Sequence, residues 1–254
     1  MLNHLTKFAR YIMPFPRPLD LEKGSTEIIA PKTIICLEQV ASEVPLHGLI
    51  LGKRASGKSS MIVELIRRHV SKNEDGNVLV FNGTEHIYPI YTNLKNELGI
   101  DIEVHSAYNE EILSAFLSRH KDIPQKKFFI AFDNCFELGS SKSETLEKVI
   151  HSQKMNYVIS ADHPLSISKS MRHRCNYIFL FKEYIYTYRK RIYNLWHLDD
   201  IFNSLEIFEK MYSVATEVPY GYLLVDMDEK TCFIGRSLTE MTVEEEEELT
   251  IDKV

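Results

Sequence analysis

The sequence predicts an α/β fold, a mostly parallel β-sheet flanked by helices and finished by a late antiparallel hairpin at one edge. Three observations carry this. From Leu46 onward short apolar runs alternate with longer segments of helical periodicity; the runs are apolar enough to be buried on both faces; and a glycine-bearing turn joins the first run to the first helical segment. Core strands are expected at residues 48–51, 78–81, 102–105, 128–132 and 157–160. The first helix is expected at 58–71, with Met61, Ile62, Leu65, Ile66 and Val70 as its apolar stripe. Further helices are expected at 86–98, 109–119 and 143–153, with Asn109 as an N-cap and Glu110 and Glu111 suited to the first turn. A sixth strand follows at 177–182, then a helix at 201–214 and two late strands at 222–226 and 231–235. Residues 184–196 fit two periods: Tyr184, Tyr186 and Tyr188 alternate, while Ile185, Tyr188, Ile192 and Leu195 follow a helix.

The folded domain is expected at 46–239, between an N-terminal arm and lead-in (1–45) and an acidic disordered tail (240–254). In the arm, Leu2, Leu5, Phe8 and Ile12 fall near helical spacing ahead of Pro14, Pro16 and Pro18, and a strand is expected at 33–37. The tail carries seven acids and one lysine, leaving 29 charges of each sign before it, so the net charge of -6 belongs to the tail. A neutral domain neither marks nor excludes a nucleic-acid binder, because a basic stripe can lie on it. Cys36, Cys135, Cys175 and Cys232 are scattered without a C-x-x-C pair, which signals neither a disulfide framework nor a zinc site and points to a reducing compartment. The apolar runs at 128–132 and 177–181 are far shorter than the roughly 20 residues of a membrane helix. With no signal-peptide pattern after Lys7 and Arg10, the expected place is the cytosol or its margin.

The turn after the first strand reads Gly52-Lys-Arg-Ala-Ser-Gly-Lys-Ser59, a complete G-x-x-x-x-G-K-[ST] phosphate-binding loop in its proper strand-to-helix context. Phosphate oxygens need several N–H donors converging on one point, so Gly52, Lys53, Arg54, Ala55, Ser56, Gly57, Lys58, Ser59 and Ser60 are expected to cradle them. Lys58 would reach the β- and γ-phosphates and Ser59 would ligate Mg²⁺. The run Phe128-Phe-Ile-Ala-Phe-Asp133 supplies the second half: a buried strand delivering a carboxylate, Asp133, to the same Mg²⁺.

Hydrolysis also needs a group that orients or deprotonates water, usually an acid directly after that Asp. Here the residue is Asn134, which cannot take a proton but can position water; Glu137 lies three residues on. Asn82, Ser160 and Asp162, at strand ends, are expected either to sense the γ-phosphate or to cap loops. The basic cluster Lys169-Ser-Met-Arg-His-Arg174 reads as an arginine finger through Arg172 or as a solvated loop. Arg189-Lys-Arg191 reads as exposed charge among core aromatics or as a phosphate contact.

In this order the features resemble the poxvirus-type genome-packaging ATPases of large nucleocytoplasmic DNA viruses, within the FtsK/HerA group of P-loop motors. The resemblance spans 48–236 and rests on the loop, on Phe129-Ile-Ala-Phe-Asp133, on Asn156-Tyr-Val-Ile-Ser160 with the basic stretch containing Arg172, and on the late strand at 222–226. It implies a RecA-like P-loop NTPase fold binding ATP and Mg²⁺, and a homo-oligomeric ring acting on double-stranded DNA. It further implies capsid or membrane-associated assembly partners in the host cytoplasm, and an arginine working across a subunit boundary, matched by Arg172. Two positions depart from the family pattern: Asn134 replaces the second acid, and the glutamine expected near Ala161 is missing. Three functions are therefore weighed: an ATP-hydrolysing DNA-packaging motor, a nucleotide-binding assembly protein with little turnover, and a P-loop nucleoside or nucleotide kinase.

Overall fold

Eight strands form one sheet in the order β3-β2-β4-β5-β1-β6-β7-β8, in a computed structural model that describes residues 45–73, 76–84, 88–136, 143–152 and 154–236. The strands are β1 (His47–Leu51), β2 (Asn77–Asn82), β3 (Ile102–His105), β4 (Phe128–Asp133), β5 (Asn156–Ala161), β6 (Tyr177–Phe181), β7 (Gly221–Asp226) and β8 (Thr231–Arg236). The first six run parallel, and β7 and β8 are antiparallel to their neighbours at one edge, as the sequence predicts. The expected arm, the strand at 33–37, Glu137 and the acidic tail lie outside the described residues.

Eight helices connect the strands among the described residues: α1 (Lys58–Lys72), α2 (Tyr88–Leu98), α3 (Glu110–Arg119), α4 (Glu144–His151), α5 (Lys169–Arg174), α6 (Tyr186–Leu195), α7 (Asp199–Phe202) and α8 (Leu205–Ala215). Each face of the sheet has its own core. On one side Ile50, Val78, Val80, Phe129 and Val158 meet Met61, Ile62, Leu65 and Ile66 of α1 and Tyr91 and Leu94 of α2. On the other, Leu49, Leu79, Phe132 and Ile159 meet Leu113 and Phe116 of α3, Leu146 and Val149 of α4 and Phe208 of α8. Alternate residues of one strand thus face opposite layers, which is why these strands are apolar throughout.

Caps fix the helix starts. The Asn109 side chain accepts from the N–H groups of Glu111 (2.8 Å) and Ile112 (3.2 Å), as expected from its place before two acids. The structure corrects two expectations and settles one that the sequence left open. The helix predicted over 201–214 is two helices, because Asn203 takes a left-handed φ of 57° and Ser204 caps α8 by accepting from Ile207 N–H at 3.2 Å. The strand β3 is not buried on both faces: Ile102 is buried while Glu103, Val104 and His105 are half-buried, since β3 lies at the sheet edge beside β2 alone. The segment with two periods resolves as helix α6, which buries Ile192 and Tyr193 and leaves Tyr184, Ile185 and Tyr186 exposed.

Leu49 is fully buried in the strand that carries the loop. Replacing it by alanine should lower the unfolding free energy by about 2–5 kcal/mol, read by chemical denaturation.

Candidate functional site

The phosphate-binding loop leaves β1 at Gly52 and enters α1 at Lys58. Its curl is enforced by packing. A Cβ on Gly52 would lie 2.6 Å from Phe181 Cβ and 2.8 Å from Ser56 Oγ. Gly57 has φ 104°, and Ala55 holds a left-handed φ of 60°, a strain of about 1 kcal/mol for a residue with a side chain. The first N–H groups of α1 have no partner within the helix and, with the helix dipole, point positive charge into the loop. Ser56 Oγ is buried and has no hydrogen-bond partner among the described residues, so it is available to an oxygen ligand.

Lys58 is buried, and its ammonium donates to the carbonyls of Gly52 (2.9 Å) and Lys53 (2.8 Å) and to Asp162 Oδ1 at 2.6 Å. Lys53 extends outward, with its Nζ 4.0 Å from the centroid of the exposed Tyr184 ring. Arg54 is exposed at the loop tip. Ser59 turns to the sheet and donates its hydroxyl to Asp133 Oδ2 at 2.7 Å.

Asp133, at the end of β4, is 1% exposed and collects three hydroxyl donors. Besides Ser59 these are Tyr91, at 2.7 Å on the same oxygen, and Ser160, at 2.5 Å on Oδ1. A buried carboxylate is tolerated when its lone pairs are filled in this way. Burial and the adjacent Asp133 charge together push the Tyr91 phenol well above its usual range, so it stays a donor. The Cys135 thiol is likewise raised by burial and by Asp133, which removes it as a nucleophile.

The meeting of these groups follows from strand order. Because β5 lies between β1 and β4, with Leu51 opposite Ala161 and Asp133 opposite Ser160, its carboxyl end emerges between the loop and Asp133. Ser160 and Asp162 therefore reach both. Asn134 takes a left-handed φ of 50°, and its N–H donates to Ser160 Oγ at 3.0 Å; its Nδ2 lies 3.5 Å from Asp162 Oδ2. Gly83 presses on this turn, where a Cβ would stand 2.2 Å from the Asn134 carbonyl oxygen.

Of the three strand-end groups singled out in the sequence, Asp162 touches Lys58 and Ser160 supports Asp133, whereas Asn82 caps its own loop through both side-chain atoms at Thr84. Arg172 is not brought to the loop. Its Nη1 donates to the Ile167 carbonyl at 2.6 Å and its guanidinium lies 6.0 Å from the Trp196 ring. The short helix α5 leads into the amino-terminal end of β6, away from the strand ends that carry the phosphate-binding loop. Arg189 pairs with Glu209 at 2.8 Å and donates to the Glu183 carbonyl, while Lys190 and Arg191 are exposed. Tyr91 was not legible as a site residue: it sits on the apolar stripe of α2, and only the fold shows its hydroxyl meeting Asp133.

No protein-family model matches the chain. A protein of Invertebrate iridescent virus 6, uncharacterized protein 075L, is 28% identical over 187 residues, covering 70% of this chain and 69% of that protein. Among solved structures, the DNA-packaging ATPase B204 of Sulfolobus turreted icosahedral virus superposes with a TM-score of 0.58 at 12% identity, over 76% of this chain and 97% of that one. The genome packaging NTPase B204 of Sulfolobus turreted icosahedral virus 2, in complex with ATP-gammaS, gives 0.56 at 16% identity over 76% and 97%. ATPases 2 and 3 of EssC from Geobacillus thermodenitrificans give 0.53 at 13% identity, over 81% of this chain and 42% of that one.

Replacing Tyr91 by phenylalanine removes one donor from the buried Asp133 without changing the ring. It should cost about 2 kcal/mol of stability, measured by urea unfolding, while Tyr177→Phe, at the amino-terminal end of β6, should cost less. The strand order, the loop and the solved relatives agree on one conclusion: the chain has the fold of the P-loop ATPases, in a form it shares with viral genome-packaging NTPases.

Proposed function

We propose that the chain is an ATP-hydrolysing motor of the packaging type, which binds Mg-ATP at the loop and moves double-stranded DNA as a homo-oligomeric ring at a virus assembly site. The observation that best supports this is the convergence of Lys58, Ser59, Asp133 and Asp162 at the carboxyl ends of the adjacent strands β1, β5 and β4. The loop N–H groups and the Ser56 hydroxyl suit phosphate oxygens, and Lys58 suits the β- and γ-phosphates. Ser59 Oγ and Asp133 Oδ2 are 2.7 Å apart, a hard oxygen pair of the kind Mg²⁺ takes beside waters and phosphate oxygens. The ion, when bound, neutralises charge on the transferred phosphate. DNA enters the proposal through the packaging NTPases of like fold, whereas the ring and the capsid or membrane-associated assembly partners rest on the family resemblance of the sequence alone. Among the described residues no helix is long and apolar enough to cross a membrane.

Purified protein should release phosphate from ATP in a Mg²⁺-dependent way, faster with double-stranded DNA, and Lys58→Ala should abolish release. A protein that neither binds nor hydrolyses ATP, with Lys58→Ala indistinguishable from wild type, overturns the proposal. Asn134 supports a second reading, a ligand switch that binds ATP with little turnover. ATP affinity measured beside phosphate release separates the two, since tight binding without release favours the switch.

A finger role for Arg172 requires a neighbouring copy, because within its own chain the guanidinium is held at Ile167. Mixing Arg172→Ala with Lys58→Ala subunits should then restore activity that neither variant has alone. Arg172→Ala subunits that hydrolyse normally on their own would remove Arg172 from the site.

A further inference from the structure

We propose that Asp162 is the proton acceptor for the attacking water and Asn134 its amide partner, so that acid and amide have exchanged strands in this site. The inference rests on the reading of the chain as an ATP hydrolase. A hydrolase needs a carboxylate or its equivalent beside the γ-phosphate, and the position after Asp133, which ends β4, holds an amide. Asparagine donates and accepts hydrogen bonds but carries no proton-accepting charge.

Two described carboxylates are bonded to the loop residues Lys58 and Ser59. Asp133 is one, and both its oxygens are taken by the hydroxyls of Ser59, Tyr91 and Ser160. Asp162 is the other. It stands one residue beyond β5, the strand inserted between the loop strand and β4, so it faces the space in front of Lys58. Its Oδ1 lies 2.6 Å from Lys58 Nζ, its Oδ2 lies 3.5 Å from Asn134 Nδ2, and its side chain is 42% exposed. It is held at Oδ1 yet open to solvent, as a group that must take a proton from water and return it requires.

The Lys58 contact supplies timing. Lys58 is the side chain that reaches the γ-phosphate in a loop of this type, so phosphate and Asp162 compete for one ammonium. A γ-phosphate that takes Lys58 frees the Asp162 carboxylate, which stands beside that ammonium, to accept from a water. Asn134, whose backbone is pinned to Ser160 and pressed by Gly83, orients that water through its amide. In the step itself the water oxygen bonds to the γ-phosphorus while one of its protons passes to Asp162. The bond from that phosphorus to the bridging oxygen breaks, its electron pair leaves with ADP, and Asp162 returns the proton to solvent. The carboxylate is thus free to act only when the γ-phosphate is in place.

The test uses the full chain with Asp162→Asn, Asn134→Asp and the double exchange, measuring kcat and KM for phosphate release, affinity for a fluorescent ATP analogue, and thermal midpoint. Asp162→Asn should lower kcat by about 100-fold or more while keeping or tightening nucleotide affinity, because the carboxylate no longer competes for Lys58. The double exchange, which restores an acid and an amide in swapped places, should regain roughly tenfold over Asp162→Asn. Wild-type kcat in Asp162→Asn overturns the inference while leaving the hydrolase reading intact. Loss of nucleotide binding together with kcat at an unchanged thermal midpoint assigns Asp162 to holding Lys58 and also overturns it, as does a double exchange no faster than the single variant. A wild-type protein that binds ATP without any release overturns the hydrolase reading, and this inference falls with it.

Discussion

A single buried carboxylate constrains most of this structure. Asp133 is almost fully removed from water, and an ionised group there costs several kcal/mol unless its lone pairs are filled. The three hydroxyls that fill them come from three different elements, α1, α2 and β5, all attached to a fourth, β4. Each of those elements must therefore stop at a set depth against the sheet. The position of α2 is fixed by Tyr91, that of α1 by Ser59, and the register of β5 by Ser160. What looks like a ligand site is also the point at which the two helices of one layer and the central strands are tied together.

The second organising feature is the insertion of β5 between the loop strand and β4. Had β1 and β4 been neighbours, Lys58 and Asp133 would face each other directly, and an ammonium would neutralise the carboxylate meant for a cation. The intervening strand keeps them apart and gives each its own partner: Lys58 takes Asp162, and Asp133 takes hydroxyls. Placing β1 and β4 two strand spacings, or about 10 Å, apart leaves both halves ready for oppositely charged ligands.

Much of this was legible in the sequence, and the parts that were not share a cause. Strands buried on both faces announce themselves as continuous apolar runs, so β1, β2, β4 and β5 could be placed within a residue or two; β3 was read the same way despite Glu103 and His105 in its run, and only the strand order shows it at an edge. The loop and Asp133 were legible because their chemistry needs fixed residue types at fixed spacing. Tyr91 was not, since an apolar stripe on α2 accounts for it completely until the fold sets its hydroxyl against Asp133. Asp162 was legible as a strand-end acid, but its pairing with Lys58 depends on strand order, which no local pattern encodes. The division at Asn203 and Ser204 was hidden by a hydrophobic periodicity that continues across the break, because both short helices pack on one layer. Arg172 was placed by its neighbours in sequence, whereas its surroundings are set by Trp196 and Ile167.

Gly52 has a meaning the phosphate alone does not give it. A methyl group there would meet Phe181 of the adjacent strand β6 closer than carbon atoms approach, so the residue is dictated by how tightly two parallel strands pass each other at their carboxyl ends. A descendant of this chain that had lost all use for nucleotides would still be held to glycine at that position by its neighbour. Lys58 and Ser59 have no such second reason: one is a buried charge and the other a hydroxyl spent on a carboxylate, and both could relax to apolar residues once Asp133 and Asp162 were gone. In a lineage drifting away from catalysis, the first glycine would be the last trace of the loop to disappear, and the lysine among the first.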